Sequence, residues 1–165
     1  MTVKEFKRIL KKKKSQTEIV SVSPNFELKN QLVALKNISI CRCRISKMKY
    51  FNPGQNKTIE YDLYNRNEKD GAACLKLFFY GPERIKPTAK GLLKAFAQVE
   101  EDIPLVANSP NPDFLFSMVG LSHIKTQKLQ ARLQTFTDAF DHTPIETLIY
   151  IPDEQGNRDG LILEF

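Results

Sequence analysis

The sequence predicts an α+β fold: a mainly antiparallel sheet with two amphipathic helices on one face, preceded by a basic N-terminal helix. Three observations predict it. A length of 165 residues suits a single compact domain. Several strand-like segments are joined by short turns, which is typical of antiparallel hairpins. The helix-like segments do not alternate regularly with strands, as they do in a doubly wound parallel fold.

The first element is a helix over residues 3–12, in which Val3, Phe6, Ile9 and Leu10 recur at helical spacing. We divide the chain into a basic amphipathic arm, residues 1–14, and a single α+β domain, residues 15–165. Two alternatives remain for the apolar face of this helix. Either the apolar face inserts into a membrane interface, or it packs on the protein's own body and the lysines keep the protein soluble.

Strand patterns dominate the segment that follows. Residues 17–22 and the long stretch 32–50 are predicted strands, and a turn over residues 52–56 leads into an alternating strand at 58–64. A further strand is predicted for residues 72–80. Together these segments form a hairpin or a meander.

Helices and strands are mixed in the second half of the chain. The pattern predicts a helix over residues 88–101 with Thr88 as its N-cap, and a second helix over residues 126–140 with the apolar stripe Leu129, Leu133, Phe136 and Phe140. The predicted strands of this half are 103–107, 114–124, 145–151 and 161–165.

Charge is distributed unevenly along the chain. The net charge is +6, residues 1–59 sum to +11, and residues 103–165 sum to −4. A basic N-terminal third indicates an anionic partner, and complementary ends allow head-to-tail association with other copies. Candidate anion-binding residues on the first helix and just after it are Lys4, Lys7, Arg8, Lys11, Lys12, Lys13 and Lys14.

A second basic stretch interleaves cations with an aromatic residue. On a strand, Arg42 and Arg44 point to the same side as Tyr50, an arrangement that single-strand nucleic-acid binders use for phosphate contacts beside a stacking ring. Lys47 and Lys49 add positive charge to this stretch. The alternative is an edge strand that its charges protect from aggregation.

Enzymatic chemistry has little support in the sequence. Asp113 followed by His123 and Lys125 faintly resembles the pattern of a metal-dependent nuclease, but the second carboxylate is missing. Cys41 and Cys43 lie two residues apart without a second pair at metal-ligand spacing, so buried structural thiols are expected. We therefore expect no catalytic residue, metal or cofactor.

Composition limits the cellular setting. Hydrophobic residues make up 41% and charged residues 27% of the chain, as in globular proteins. No apolar run reaches the ~18 residues that span a bilayer, and no apolar segment of a secretory signal follows the basic N-terminus. Three cysteines do not suggest a disulfide framework, so we expect an intracellular protein, cytoplasmic or nuclear.

These observations favour a non-enzymatic structural or binding protein. Its basic N-terminal third is expected to engage a polyanion, RNA or DNA, or an acidic membrane, and the chain is expected to form homo-oligomers. Small viral matrix and nucleic-acid-packaging proteins have this layout, although no motif here identifies such a family. Two alternatives remain: a small metal-dependent nuclease or other nucleic-acid-processing enzyme, and an adaptor or inhibitor with one protein partner.

Overall fold

Strands account for most of the computed structural model, which describes residues 1–24, 28, 30–111, 117–138 and 140–165. In this part of the chain there are two sheets and two short α-helices. The predicted fold, one mainly antiparallel sheet with two amphipathic helices on one face, is therefore wrong. The chain is mostly β, and each sheet closes on itself.

The helices are α1 (Val3–Lys11) and α2 (Ala89–Ala95), and a 3₁₀ turn, Phe96–Gln98, extends α2. The described strands, in chain order, are β1 (Glu18–Val22), β2 (Leu32–Ala34), β3 (Asn37–Asn52), β4 (Lys57–Arg66), β5 (Ala72–Phe78), β6 (Leu105–Asn108), β7 (Met118–Gly120), β8 (His123–Thr137), β9 (Pro144–Pro152) and β10 (Arg158–Glu164).

In sequence, one sheet contains all described strands of the other sheet between its own second and third strands. The first, which we call the terminal sheet, has the order β1-β10-β8-β9-β2 and closes where β2 pairs with β1. The second, which we call the inserted sheet, has the order β3-β4-β7-β6-β5 and closes where β5 pairs with β3. Each sheet contains one parallel pair among its described strands, β1 with β10 and β5 with β6.

Several local predictions are confirmed. The turn predicted for residues 52–56 joins β3 to β4, and Asn56 adopts a positive φ of 48°, which Asn tolerates better than most residues. Thr88 is the N-cap of α2, and its hydroxyl accepts a hydrogen bond from Gly91 N–H at 3.1 Å. The helix predicted for residues 88–101 is shorter than expected, because its last turn tightens into the 3₁₀ turn. The strand predicted for residues 114–124 lies partly outside the described residues.

The helix predicted for residues 126–140 is wrong, because this segment contains most of strand β8. Residues 123–129 pair with β10, and residues 129–137 pair with β9. Leu129 is buried, but Leu133 is 66% exposed and Phe140 is 95% exposed, so the apolar residues at helical spacing share no buried face. Backbone pairing on both sides has overridden the local helical pattern.

The helices lie in a core that both sheets share. The rings of Phe6 and Phe96 meet edge to face with their centroids 6.0 Å apart. One apolar cluster joins these rings to Ile19 and Leu161 of the terminal sheet and Leu75 of the inserted sheet. The apolar face of the N-terminal helix therefore packs on the protein's own body and is not free to enter a membrane.

Backbone hydrogen bonds fix α1 in place. Val3 N–H donates to Ile103 O at 3.1 Å, and Lys4 N–H donates to Glu101 O at 2.9 Å. Thr2 and Glu5 form a reciprocal capping box at its N-terminus. In the described part of the chain, no helix is both long and apolar enough to cross a membrane.

Candidate anion-binding surface

The outward side of α1 carries unpaired positive charge. Lys4, Arg8, Lys11 and Lys12 are exposed, and none of them forms a salt bridge with another described residue. The arrangement follows from the helical period, because Val3, Phe6 and Leu10 occupy the buried side. Positive charge in the last turn also interacts favourably with the helix dipole.

The other three cations predicted for this region bond within the chain. Lys7 pairs with Glu101 at 3.4 Å, and Lys13 Nζ donates to Thr126 Oγ1 at 3.0 Å. Lys14 pairs with Asp159 at 3.3 Å. Hydrogen bonds from Lys128 and Lys14 lower the pKa of the Asp159 carboxyl. Lys13 and Lys14 thus attach the end of the α1 segment to the terminal sheet.

A cationic groove lies where the chain leaves α1 and runs beside the start of α2. Lys90 N–H donates to Ser15 O at 3.1 Å, and Ala89 N–H donates to Thr17 O at 2.8 Å. The groove has a volume of about 660 Å³ and no acidic side chain among its described lining residues. Its lining residues are Gln16, Arg84, Ile85, Lys86, Thr88, Lys90, Gly91, Lys94 and Ala95.

Helical spacing brings the groove's lysines together. Lys86, Lys90 and Lys94 follow one another at intervals of four residues, so the latter two share a face of α2 and the first lies just before it. Arg84 is held nearby, because its N–H donates to Lys36 O at 2.8 Å. All four cations are exposed and form no salt bridge with any described residue. Like charges at this spacing repel, and a bound polyanion would relieve that repulsion.

None of these four cations was among the anion-binding residues predicted from the sequence. Charge summed over residues 60–102 comes to −1, because acidic residues elsewhere in that segment hide the local cluster. The signal that could have found them is the four-residue spacing of Lys86, Lys90 and Lys94 beside the predicted cap at Thr88.

Three of the four cations in the basic stretch of β3 lie beside carboxylates, and the fourth, Arg42, bonds to a backbone carbonyl. Arg42 donates to Gly71 O at 3.1 Å, Arg44 pairs with Asp70, and Lys47 pairs with Glu60 at 3.0 Å. The Glu60 and Asp62 carboxylates raise the pKa of Lys47. Lys49 is exposed and lies opposite Glu60 in the register of β3 and β4. Tyr50 is half-buried and packs beside the cluster of Leu63 and Val119.

The residues of the nuclease alternative are not brought together in the described part of the chain. His123 is exposed at the start of β8, and Lys125 pairs with Glu164 at 2.6 Å. Asp113 lies outside the described residues.

All three cysteines are buried, two on β3 and one on β5. Burial raises the pKa of the Cys41 and Cys43 thiols to about 11, and it also raises the pKa of Cys74. A nucleophilic cysteine needs the thiolate form near neutral pH, which these surroundings disfavour.

No protein-family model, curated protein or solved structure matches this chain.

Proposed function

We propose that the protein binds a nucleic acid through the phosphate backbone. The binding surface, which we call the cationic face, consists of the exposed side of α1 and the groove beside α2. One observation carries the proposal: the groove is lined by four exposed cations and by no acidic side chain among its described lining residues. The residues of the cationic face are Lys4, Arg8, Lys11, Lys12, Arg84, Lys86, Lys90 and Lys94.

The chemistry of these residues favours phosphate contact over base readout. Six of the eight residues of the cationic face are lysines, which act as strongly hydrated point charges on flexible stems. Such contacts neutralise phosphates and release condensed counterions, which stabilises binding whatever the base sequence. We therefore expect weak sequence preference and strong salt dependence.

The buried side of α1 argues for nucleic acid over an acidic membrane. A helix that anchors in a bilayer inserts its apolar face, but Phe6, Val3 and Leu10 are fully buried in the shared core. Only electrostatic attraction to the headgroups would remain. A recessed groove is also better suited to a protruding phosphate backbone than to a flat headgroup layer.

The test measures which polyanion binds and where. The probes are one labelled 20-nucleotide RNA, a DNA duplex of similar length, and vesicles with and without phosphatidylserine. We expect tight binding to a nucleic acid and weaker binding to the acidic vesicles, with at least about a tenfold loss for Lys90→Glu/Lys94→Glu.

The matched control is Lys57→Glu/Lys69→Glu, which changes net charge equally at exposed lysines that form no salt bridge with another described residue and lie far from α2 in sequence. Equal losses for the two double variants would contradict a localised site. Binding only to acidic vesicles would contradict the nucleic-acid proposal.

We propose in addition that copies of the chain associate through the hairpin of β8 and β9. Residues 130–137 of β8 pair only with β9 among the described strands, and residues 144–148 of β9 pair only with β8. Among the described residues, both edges of this outer half therefore lack a further backbone partner and offer a place for strand pairing. Leu133 and Ile145 are exposed there, which provides apolar surface for a second copy to cover.

A head-to-tail contact between the charged ends is less well supported. Asp159 is already bonded to Lys14 and Lys128, and Glu164 is bonded to Lys125. These carboxylates are thus partly neutralised within one copy of the chain.

A further inference from the structure

Three thiol groups converge on the inner side of the inserted sheet. The Sγ atoms of Cys41, Cys43 and Cys74 all lie within 4.8 Å of one another, and those of Cys41 and Cys43 are 3.6 Å apart. All three residues are buried. The cationic face uses none of them.

Strand geometry produces this convergence. Cys41 and Cys43 are two residues apart on β3, so both side chains point to the same side of the sheet. Cys74 lies directly opposite Cys41 in the antiparallel register of β3 and β5. Directly opposite residues of such a pair have their Cβ atoms about 5 Å apart, close enough for their side chains to share one ligand.

We propose that Cys41, Cys43 and Cys74 bind one thiophilic metal ion, Zn²⁺, through three thiolates, with the fourth coordination position open to an adjacent groove. A Zn–S distance of about 2.3 Å in tetrahedral geometry places the sulfur atoms about 3.8 Å apart. The Cys41–Cys43 separation is already close to this value. Small side-chain rotations bring the third sulfur into range.

The adjacent groove gives the ion a way in and a place for the fourth ligand. Its volume is about 330 Å³, and Cys41 and Met118 line it together with Arg66 and Lys76. A water molecule entering from this side would complete the coordination shell. On binding, each thiol releases its proton to solvent, so Zn²⁺ with three thiolates carries one net negative charge. Lys76 offsets that charge from the groove lining, where Arg66, which pairs with Glu68 at 2.8 Å, also lies.

The ligand set distinguishes this site from a closed structural zinc site. Four protein ligands, usually Cys and His, surround the ion in such sites. The described histidines are exposed in β8 and in the turn between β8 and β9, and no further cysteine exists in the chain. Three protein ligands with one open position are typical of sites where zinc binds an exchangeable ligand.

The test uses the reduced full-length protein and Co²⁺ as a spectroscopic probe for Zn²⁺. We expect one Co²⁺ per chain, a near-ultraviolet thiolate-to-cobalt charge-transfer band, and loss of the band when Zn²⁺ is added. Cys74→Ser should weaken binding by at least about 100-fold, because it removes a direct ligand. The control Ser39→Ala alters the same groove without removing a thiolate and should bind normally.

Wild-type protein alone can overturn the proposal. Absence of the charge-transfer band at stoichiometric Co²⁺ would contradict it. Binding without that band would also contradict it, since ligands other than the three thiolates would then hold the ion. Cys74→Ala is a second ligand variant in case Cys74→Ser fails to fold, and circular dichroism checks both. Retained charge transfer in a folded Cys74 variant would contradict the three-thiolate site.

Discussion

Tyr150 is a buried phenol whose ionisation the fold opposes. Its hydroxyl donates to Glu18 Oε2 at 3.4 Å, and Arg158 pairs with the other oxygen of that carboxylate at 2.6 Å. Burial, reinforced by the Glu18 charge, raises the pKa of Tyr150 to about 12. An unfolded tyrosine titrates near 10, so the folded chain holds its phenol proton to higher pH.

This pKa shift predicts an alkaline loss of stability. The contribution of neutral Tyr150 is complete below about pH 10 and is lost as the pH rises towards 12. We expect Tyr150→Phe to reduce the fall in unfolding free energy over this interval by about 2 kcal/mol. At neutral pH it should cost about 1 kcal/mol for the lost hydrogen bond. Urea unfolding at several pH values measures both effects on the unfolding free energy. If wild type and Tyr150→Phe lost the same stability between pH 10 and 12, Tyr150 would not be the cause of the alkaline loss.

Gly71 occupies a position where a side chain does not fit. A Cβ atom built there would overlap Asn67 O and lie 2.7 Å from Cys43 N, and both are backbone atoms that cannot rotate away. Gly71→Ala should therefore lower the unfolding free energy by about 2 kcal/mol. Gly54→Ala is the control, because its nearest neighbour is the Asn52 side chain at 3.3 Å. Equal stability of the two variants in chemical denaturation would contradict the close backbone packing around Gly71.

At the scale of elements, α1 is part of the core. Phe6 is fully buried against Phe96 and the residues of both sheets, so Phe6→Ala should cost about 3–5 kcal/mol of unfolding free energy. Lys12→Ala, on the exposed side of the same segment, should stay within about 0.5 kcal/mol of wild type. Thermal denaturation of the two variants and of wild type measures these losses of stability. A small effect of Phe6→Ala would favour the detachable arm that the sequence suggested.

The outer half of the β8–β9 hairpin carries the self-association proposal. Leu133→Lys should shift the protein towards the monomer more than Thr135→Lys does, because it removes exposed apolar surface in addition to placing a charge at an open edge. Thr135→Lys adds the same charge two residues further along the same strand. Sedimentation velocity at several concentrations gives the oligomeric state. A wild-type monomer at every concentration would contradict the proposal, as would equal behaviour of the two variants.

Elements whose pattern is local could be predicted from the sequence. The turn that contains Asn56 and the helix cap at Thr88 each depend on residues within a few positions of one another in the sequence. Strand β8 could not be predicted, because its apolar residues fit a helical period equally well. Its true state is decided by pairing with β9 and with the distant β10.

At the scale of the whole molecule, the arrangement of the strands in two closed sheets could not be predicted from the sequence. Closure of the terminal sheet requires β1 to pair with β10 across almost the whole chain. Nothing in one strand's pattern identifies so distant a partner. The thiol cluster could not be predicted for the same reason, since Cys74 lies opposite Cys41 only through the register of β3 and β5.

The candidate site was predicted in part. Lys4, Arg8, Lys11 and Lys12 are exposed as a basic helix face should be, because a basic run is visible in the sequence itself. The groove depends on how α2 packs beside the chain leaving α1, and that packing is a tertiary contact. The carboxylates that pair with the cations of β3 also come from neighbouring segments, in register or across a turn.

The salt dependence of nucleic-acid binding tests the central claim most directly. Affinity for the DNA duplex is measured at several salt concentrations for wild type, Lys90→Gln/Lys94→Gln and the control Lys57→Gln/Lys69→Gln. Each phosphate contact contributes about 0.9 to the slope of log affinity against log salt. If Lys90 and Lys94 contact phosphates, their variant lowers the slope by about 1.8 while the control keeps the wild-type slope. A shallow wild-type slope, or the same slope in both double variants, would contradict the cationic face as the binding surface.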